Sequence, residues 1–181
     1  MSSRRGPGSA PAPLCLVGVG SHLGGDQVAW EVVRRVARRL QGTGGRGEEV
    51  APDRIDCECT ARVVGPLLER LRGRRVALVL DAARSGLAPG TLLELAAADG
   101  PGGAADTLGH HSSHGPGVME TLALGRALGM LPPRLRLLGV EIGDGLQLPP
   151  AAVLDALAGA VLRIAKAELA ALEDRDNPHE I

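Results

Sequence analysis

Two aspartates and one histidine stand at the ends of apolar segments, where they could do chemistry together. Asp26 closes a glycine-rich loop after the first apolar run, Asp81 closes the run "VALVL", and His114 precedes a third apolar segment. Two carboxylates brought close together repel, so they must share a proton or hold a cation. With an imidazole beside them and an open coordination position, the set suits a divalent transition metal.

Each of these residues also has a structural explanation. Asp26 precedes an amphipathic segment and could simply be a helix N-cap. His114 belongs to "HHSSHGPG", where the histidines could be solvated loop residues and Ser112 or Ser113 could cap the next helix. Asp81 is harder to explain in this way, because an acid that closes a buried run is costly unless it is paired or functional.

The glycines around Gly18 and Gly20 raise the alternative of a nucleotide-dependent enzyme. A dinucleotide fingerprint requires Gly-x-Gly-x-x-Gly directly after a strand, but Leu23 stands at the third glycine position. A carboxylate such as Asp26 at a helix start also competes with a phosphate for the same backbone N–H groups. The nucleotide hypothesis is therefore the weaker one.

The elements that would position these residues alternate along the chain. Apolar runs without a polar face predict buried strands, and an apolar residue every third or fourth position predicts helices. The predicted strands are Leu14–Val19, Arg54–Thr60, "RRVALVLDAA", "GTLLELA" and "RLRLLGVEIG"; the predicted helices are 27–40, Val63–Leu71, Val118–Met130 and the segment that begins at "PPAAVLDAL". The helix at Val118–Met130 is apolar almost all round, so we expect it to be well buried.

This alternation predicts an α/β fold: a three-layer sandwich with a mainly parallel twisted sheet of about five strands and helices on both faces. Ligand sites in such sheets lie beyond the carboxyl ends of the strands, where Asp26 and Asp81 are expected. We expect one domain over residues 14–172, a disordered N-terminal tail over 1–13 and a flexible C-terminal tail over 173–181.

Composition excludes several classes of function. The net charge of −1 and the absence of Phe and Tyr remove the basic surface and the stacking platform that a nucleic-acid binder needs. No apolar run reaches the roughly 18 residues of a membrane span, so we expect no membrane partner. Cys15, Cys57 and Cys59 lack the spacing of a zinc site or a disulfide framework, which favours buried thiols in a reducing cytoplasm.

Several motifs together resemble one family, the hydrogenase maturation endopeptidases that process the large subunit of nickel–iron hydrogenases. In order along the chain they are "GVGSHLGGDQVAWEVV", "LVLDAA", "SSHGPGVMETLALGRALGMLP" and "LLGVEIGD". The resemblance runs from about Leu14 to Leu172 and implies a twisted sheet between helices. Family members often carry two adjacent acids in the first loop, whereas here Gly25 precedes Asp26 and Gln27 follows it.

The resemblance implies both an activity and a site. Asp26, Asp81 and His114 would form the active site and contact the nickel of a large-subunit precursor as the recognition signal, and cleavage would remove a C-terminal extension. It implies no tightly bound cofactor, with zinc or cadmium as possible surrogates for nickel. A carboxylate or a metal-bound hydroxide could deliver the water, and the sequence does not choose between them.

The motifs also bear on other proteolytic mechanisms and on a non-catalytic role. The chain has no nucleophile-elbow serine motif and no His-Glu-x-x-His helix, which disfavours serine-type and ordinary zinc proteolysis. A non-catalytic relative that binds nickel or a partner without cutting stays open because Gly25 replaces an acid that many relatives carry.

Overall fold

The computed structural model describes residues 11–42, 53–61, 63–97, 117–143 and 147–176. Strands and helices alternate over most of this length, as the apolar pattern predicts. The strands are β1 Leu14–Val19, β2 Ile55–Thr60, β3 Val76–Ala83, β4 Leu92–Ala97 and β5 Arg134–Glu141. The helices are α1 Val28–Gly42, α2 Val64–Leu71, α3 Val118–Ala127 and α4 Ala151–Asp176, and a 3-10 turn at Gly24–Gln27 leads directly into α1.

The strands form a single five-stranded sheet in the order β2-β1-β3-β5-β4. Strands β2, β1, β3 and β5 run parallel, and β4 pairs antiparallel with β5 at one edge. The predicted α/β fold with a mainly parallel sheet of about five strands is therefore confirmed. Because the four parallel strands end at the same edge, the segments that follow β1, β3 and β5 are brought side by side.

Two hydrophobic cores lie on opposite faces of the sheet. Even-numbered strand residues such as Leu16, Leu78 and Leu138 pack with α1 and α4, whereas odd-numbered residues such as Val17 and Val79 pack with α2 and α3. Side chains alternate between the faces of a strand, so one strand serves both cores. This arrangement is the predicted three-layer sandwich.

Helix α3 is more exposed than its composition suggests. It ends at Ala127 rather than Met130, and its buried residues are Val118, Thr121, Leu122 and Gly125, while Met119, Leu124 and Leu128 are exposed. The expectation of a well-buried helix is wrong, because within the described part of the chain α3 is covered on one side only, by the sheet and α2. An apolar composition all round the helix does not say how many sides have a neighbour.

Helix α4 continues past Leu172 to Asp176, so residues 173–176 of the expected C-terminal tail are helical. The last turn is held to the sheet by Arg75, whose Nη2 donates to Asp176 Oδ1 over 2.7 Å. Residues 1–10 and 177–181 lie outside the described residues. In the described part of the chain, no helix combines the length and the apolar character needed to span a membrane.

Candidate active site

Asp26 lies in the 3-10 turn between β1 and α1, at the carboxyl end of the sheet. Its Oδ2 accepts a hydrogen bond from Ser21 Oγ over 3.1 Å, and Ser21 Oγ in turn accepts one from the Leu23 amide over 3.2 Å. Helix α1 begins at Val28, so the residue immediately before it is Gln27. Asp26 therefore occupies the first helical turn rather than the N-cap position that its structural explanation assumed, and there an acid is favoured by the helix dipole.

The glycines before Asp26 are required by close packing. A Cβ on Gly20 would lie closer than 3.0 Å to the carbonyl oxygen of Asp26, and a Cβ on Gly18 would lie 3.0 Å from the carbonyl oxygen of Ala29. Gly25 is buried, and a Cβ there would lie 3.1 Å from Ile142 Cδ1. The glycines thus let the chain fold back on β1 and lay the 3-10 turn against the residue after β5, without any need for a bound phosphate.

Trp30 fastens this returning segment to the neighbouring strand. The Thr60 carbonyl at the end of β2 accepts hydrogen bonds from the Gly20 amide over 3.1 Å and from Trp30 Nε1 over 3.2 Å. The His22 and Trp30 rings pack in a T-shaped arrangement with their centroids 4.8 Å apart. The position of Asp26 is therefore set by β1 and β2 as well as by its own turn.

Asp81 lies on β3, the central strand of the sheet, and is only 4% exposed. The strand continues beyond it to Ala83, so Asp81 lies two residues before the end of the strand rather than at the end itself. Its Oδ1 accepts a hydrogen bond from the Ala82 amide over 2.9 Å. This hydrogen bond fixes the orientation of the buried carboxylate from the backbone of its own strand.

The fold brings the segments that carry Asp26 and Asp81 together. β1 and β3 are adjacent parallel strands, and the 3-10 turn contacts β3. His114, the third predicted site residue, lies outside the described residues. Among the residues that are described, no three His, Cys, Asp or Glu side chains are grouped closely enough to hold a metal ion.

Sequence reasoning missed a second buried acid at this edge, Glu141 at the end of β5. Its side chain is fully buried, with 0% exposure, and accepts hydrogen bonds from Ser85 and Gly143. Burial alone raises the pKa of Glu141, but the Ser85 hydroxyl and the amides of Ser85, Gly143 and Leu87 outweigh burial and hold its pKa below the ordinary value. The signal that selected Asp81, an acid closing an apolar run, is also present in "RLRLLGVE".

Comparison with known proteins defines the fold class. No protein-family model matches the sequence, and no curated protein matches it. Solved structures do match: the chain has the fold of hydrogenase maturation endopeptidases, as the motif resemblance predicted.

Three of these structures illustrate the likeness. The hydrogenase maturating endopeptidase HybD from E. coli aligns over 86% of this chain and 93% of its own, with 22% identity and a TM-score of 0.57. An endopeptidase from Escherichia coli aligns over 86% and 91%, with 20% identity and a TM-score of 0.55. The NiFe hydrogenase maturation protease HybD from Thermococcus kodakarensis aligns over 84% and 98%, with 17% identity and a TM-score of 0.52.

Proposed function

We propose that this protein is an endopeptidase that removes the C-terminal extension of a nickel-loaded NiFe-hydrogenase large-subunit precursor. The observation that carries the proposal is the contact between the turn bearing Asp26 and the strand bearing Asp81, at the carboxyl edge of a fold shared with maturation endopeptidases. Parallel α/β sheets place their functional groups at this edge. The motif resemblance supplies the substrate and the reaction.

In this proposal, nickel belongs to the substrate and serves as the recognition signal. Asp26, Asp81 and His114 contact the nickel of the precursor, while the protein itself keeps no tightly bound cofactor. Three ligands leave coordination positions for the substrate, so isolated protein should hold nickel, zinc or cadmium only weakly. The attacking water is activated either by one of the carboxylates or on the substrate's nickel, which makes the reaction aspartic-type or metal-assisted.

The structural neighbours support the endopeptidase part of this proposal, because they share the fold and are named as endopeptidases or a maturation protease. The three cysteines without disulfide spacing support a reducing cytoplasm as the place where the protein meets its precursor. Neither nucleic acid nor a membrane is needed as a partner.

The test is a processing assay with purified components. Nickel-loaded large-subunit precursor is incubated with wild-type protein, and the loss of the C-terminal extension is read by intact mass. Nickel-free precursor and the Asp81→Asn and His114→Ala variants are the controls, and we expect none of these three reactions to yield product. Because the substrate hydrogenase is not fixed by the sequence, precursors from the same source organism are the ones to use.

Two outcomes would contradict the proposal in different ways. Binding of the nickel-loaded precursor without cleavage would indicate the non-catalytic relative. Cleavage that proceeds equally with nickel-free precursor would keep the endopeptidase but remove nickel as the recognition signal.

A further inference from the structure

Glu141 is a buried acid that the reaction proposed above does not use. It ends β5 and has 0% exposure, and leaving a carboxylate there without partners would be very costly. Its Oε2 accepts the Ser85 amide and the Ser85 hydroxyl, each over 2.6 Å, and its Oε1 accepts the Gly143 amide over 3.0 Å. A carboxylate with several donors is stable inside the protein as the charged form.

These donors come mainly from the loop that follows β3, residues 84–91, which we call the rim loop. The backbone of Glu141 holds the far end of the same loop: its carbonyl accepts the Gly90 amide over 2.8 Å, and its amide donates to the Thr91 carbonyl over 2.9 Å. One residue of β5 therefore fixes both ends of the rim loop. The Glu141 side chain binds Ser85, and the Glu141 backbone binds Gly90 and Thr91.

The remaining geometry of the rim loop leaves it little freedom. Gly86 and Gly90 have φ angles of 81° and 88°, a region that other residues rarely adopt. A Cβ on Gly90 would overlap Val153 of α4. The Thr91 hydroxyl donates to the Ala88 carbonyl over 2.6 Å. The rim loop is thus built to keep one conformation, although it lies at the surface.

The rim loop begins directly after β3, three residues beyond Asp81 along the chain. β3 and β5 are adjacent, with Asp81 paired to Gly139 and Ala83 paired to Glu141. Odd-numbered residues of both strands face the α2 and α3 side, so Asp81 and Glu141 share one face. Leu87, at the middle of the rim loop, is 49% exposed while the loop around it is tied down. An exposed leucine in a loop that is hydrogen-bonded to the strand next to Asp81 is suited to contact a substrate.

We propose that Glu141 is a positioning residue that holds the rim loop so that Leu87 contacts the substrate polypeptide next to Asp81. This inference rests on the proposed endopeptidase function. Glu141 itself is fully buried and does not touch substrate. It acts through Ser85 and the backbone of the rim loop.

The first test is Glu141→Gln, measured by steady-state processing kinetics. The amide is nearly isosteric, but its nitrogen cannot accept a hydrogen bond, so the Ser85 or Gly143 donors lose a partner. We expect KM for the precursor to rise about tenfold with kcat changed less than about twofold, the split expected when only binding is lost. A structural role alone would lower the amount of folded enzyme, reducing apparent kcat without changing KM.

A second set of variants keeps the test decisive if Glu141→Gln does not fold. Ser85→Ala removes one of the hydrogen bonds to Glu141, and Ser85→Thr keeps the hydroxyl, so KM should rise in the first and be restored in the second. Leu87→Ala should raise KM without changing the melting temperature. Its matched control is Leu128→Ala at the C-cap of α3, where the leucine is 59% exposed and distant along the chain, and KM should be unchanged.

Hydrogen exchange separates failure of this inference from failure of the proposed function. In Glu141→Gln or Ser85→Ala, the amides of Ser85 and Leu87 should lose protection while those of β3 and β5 keep it. If wild-type protein cleaves and these variants leave KM unchanged, the role of the rim loop in binding is wrong. If wild-type protein cleaves no precursor, the proposed function is wrong and so is the substrate contact by Leu87. Independently of cleavage, unchanged hydrogen-exchange protection in Glu141→Gln and Ser85→Ala would show that Glu141 does not position the rim loop.

Discussion

At the scale of single residues, Asp26 and Asp81 are held in different ways. The side chain of Asp26 is half-buried and bonded to the hydroxyl of Ser21 in its own loop, whereas Asp81 is buried within the central strand and bonded to the amide of the next residue. In both of these hydrogen bonds a carboxylate oxygen is the acceptor. An asparagine side-chain oxygen can accept the same bonds, so substitution by Asn separates charge from geometry at both positions.

We therefore predict that Asp26→Asn and Asp81→Asn fold normally and lose processing. The unfolding free energy of each should stay within about 1 kcal/mol of wild type, because the shape and the hydrogen bonds from Ser21 and Ala82 are kept. Processing should fall more than about 100-fold, because the negative charge needed to bind a cation or take a proton from water is gone. Each variant is melted first and then assayed by the mass of the precursor.

Near wild-type cleavage by both variants would show that neither carboxylate belongs to the active site. If Asp26 has only a structural role, the Asp26→Asn variant should have normal stability and normal activity. Loss of activity only in Asp81→Asn would keep Asp81 in the proposed active site and exclude Asp26 from it.

The cysteines lead to a second prediction at this scale. Burial raises the pKa of Cys15 and of Cys57 to about 12, and burial also raises the pKa of Cys59. Since the thiolate is the reactive form, none of the three should react with a thiol reagent at pH 8 in the folded protein. All three should react in denaturant. Inactivation of the folded enzyme by a thiol reagent would indicate a cysteine in the mechanism and contradict the proposed site.

At the scale of elements, the decisive feature is how the segment after β1 returns over the sheet. Gly20 allows the carbonyl of Asp26 to approach the backbone, and the Thr60 carbonyl receives both the Gly20 amide and Trp30 Nε1. The turn that bears Asp26 is thus coupled to β2 and to α1. A change at Gly20 should reach Asp26 without touching its side chain.

We predict that Gly20→Ala displaces the 3-10 turn and lowers both stability and processing. The added Cβ cannot coexist with the present position of the Asp26 carbonyl, and such overpacking typically costs about 1–3 kcal/mol. Trp30 is the only tryptophan, so its fluorescence should report the displacement. Unchanged fluorescence, stability and activity would mean that the turn does not depend on this close approach.

Gly65→Ala is the matched control for this prediction. It lies in α2, and a Cβ there meets nothing within 4 Å. The change should alter the unfolding free energy by less than about 1 kcal/mol, because the helix preference of alanine is opposed by the restriction that Pro66 places on the residue before it. Processing should be unaffected.

At the scale of the whole molecule, stability should depend on pH through carboxylates whose pKa is lowered by folding. Burial raises the pKa of Glu141, but the Ser85, Gly143 and Leu87 donors lower it further than burial raises it, so the net shift is downward from 4.5. The pKa of Glu31 is likewise lowered, since Arg34 and Arg35 outweigh its burial. A lowered folded-state pKa stabilises the native protein above the ordinary value, and this stabilisation is lost as pH falls through the folded-state value.

We predict that the urea midpoint is nearly constant at neutral pH and falls as the pH drops below about 4.5. In Glu141→Gln the acid limb should be shallower, because one group that protonates on unfolding is removed. The measurement is a series of urea melts at fixed ionic strength. An acid limb of equal steepness in wild type and variant would show that Glu141 does not contribute to this dependence.

The sequence by itself determined the order and type of the elements. The short continuous apolar run before Asp81 predicted a buried strand between two layers, and the periodicity of α1 placed Val32 and Val36 on its buried face. The expense of burying an acid also selected Asp81 correctly as a buried carboxylate at the carboxyl edge. These inferences are local, because they depend on neighbours within one element.

Other features were decided only by the tertiary structure. The role of Glu141 depends on Ser85, 56 residues away. The space available for a side chain at position 25 is limited by Ile142. The exposed side of α3 depends on which faces of the sandwich have a neighbour, and the antiparallel pairing of β4 depends on the edge that it joins. Each is set by contacts between segments far apart in the chain, and periodicity within a single segment carries no information about such contacts.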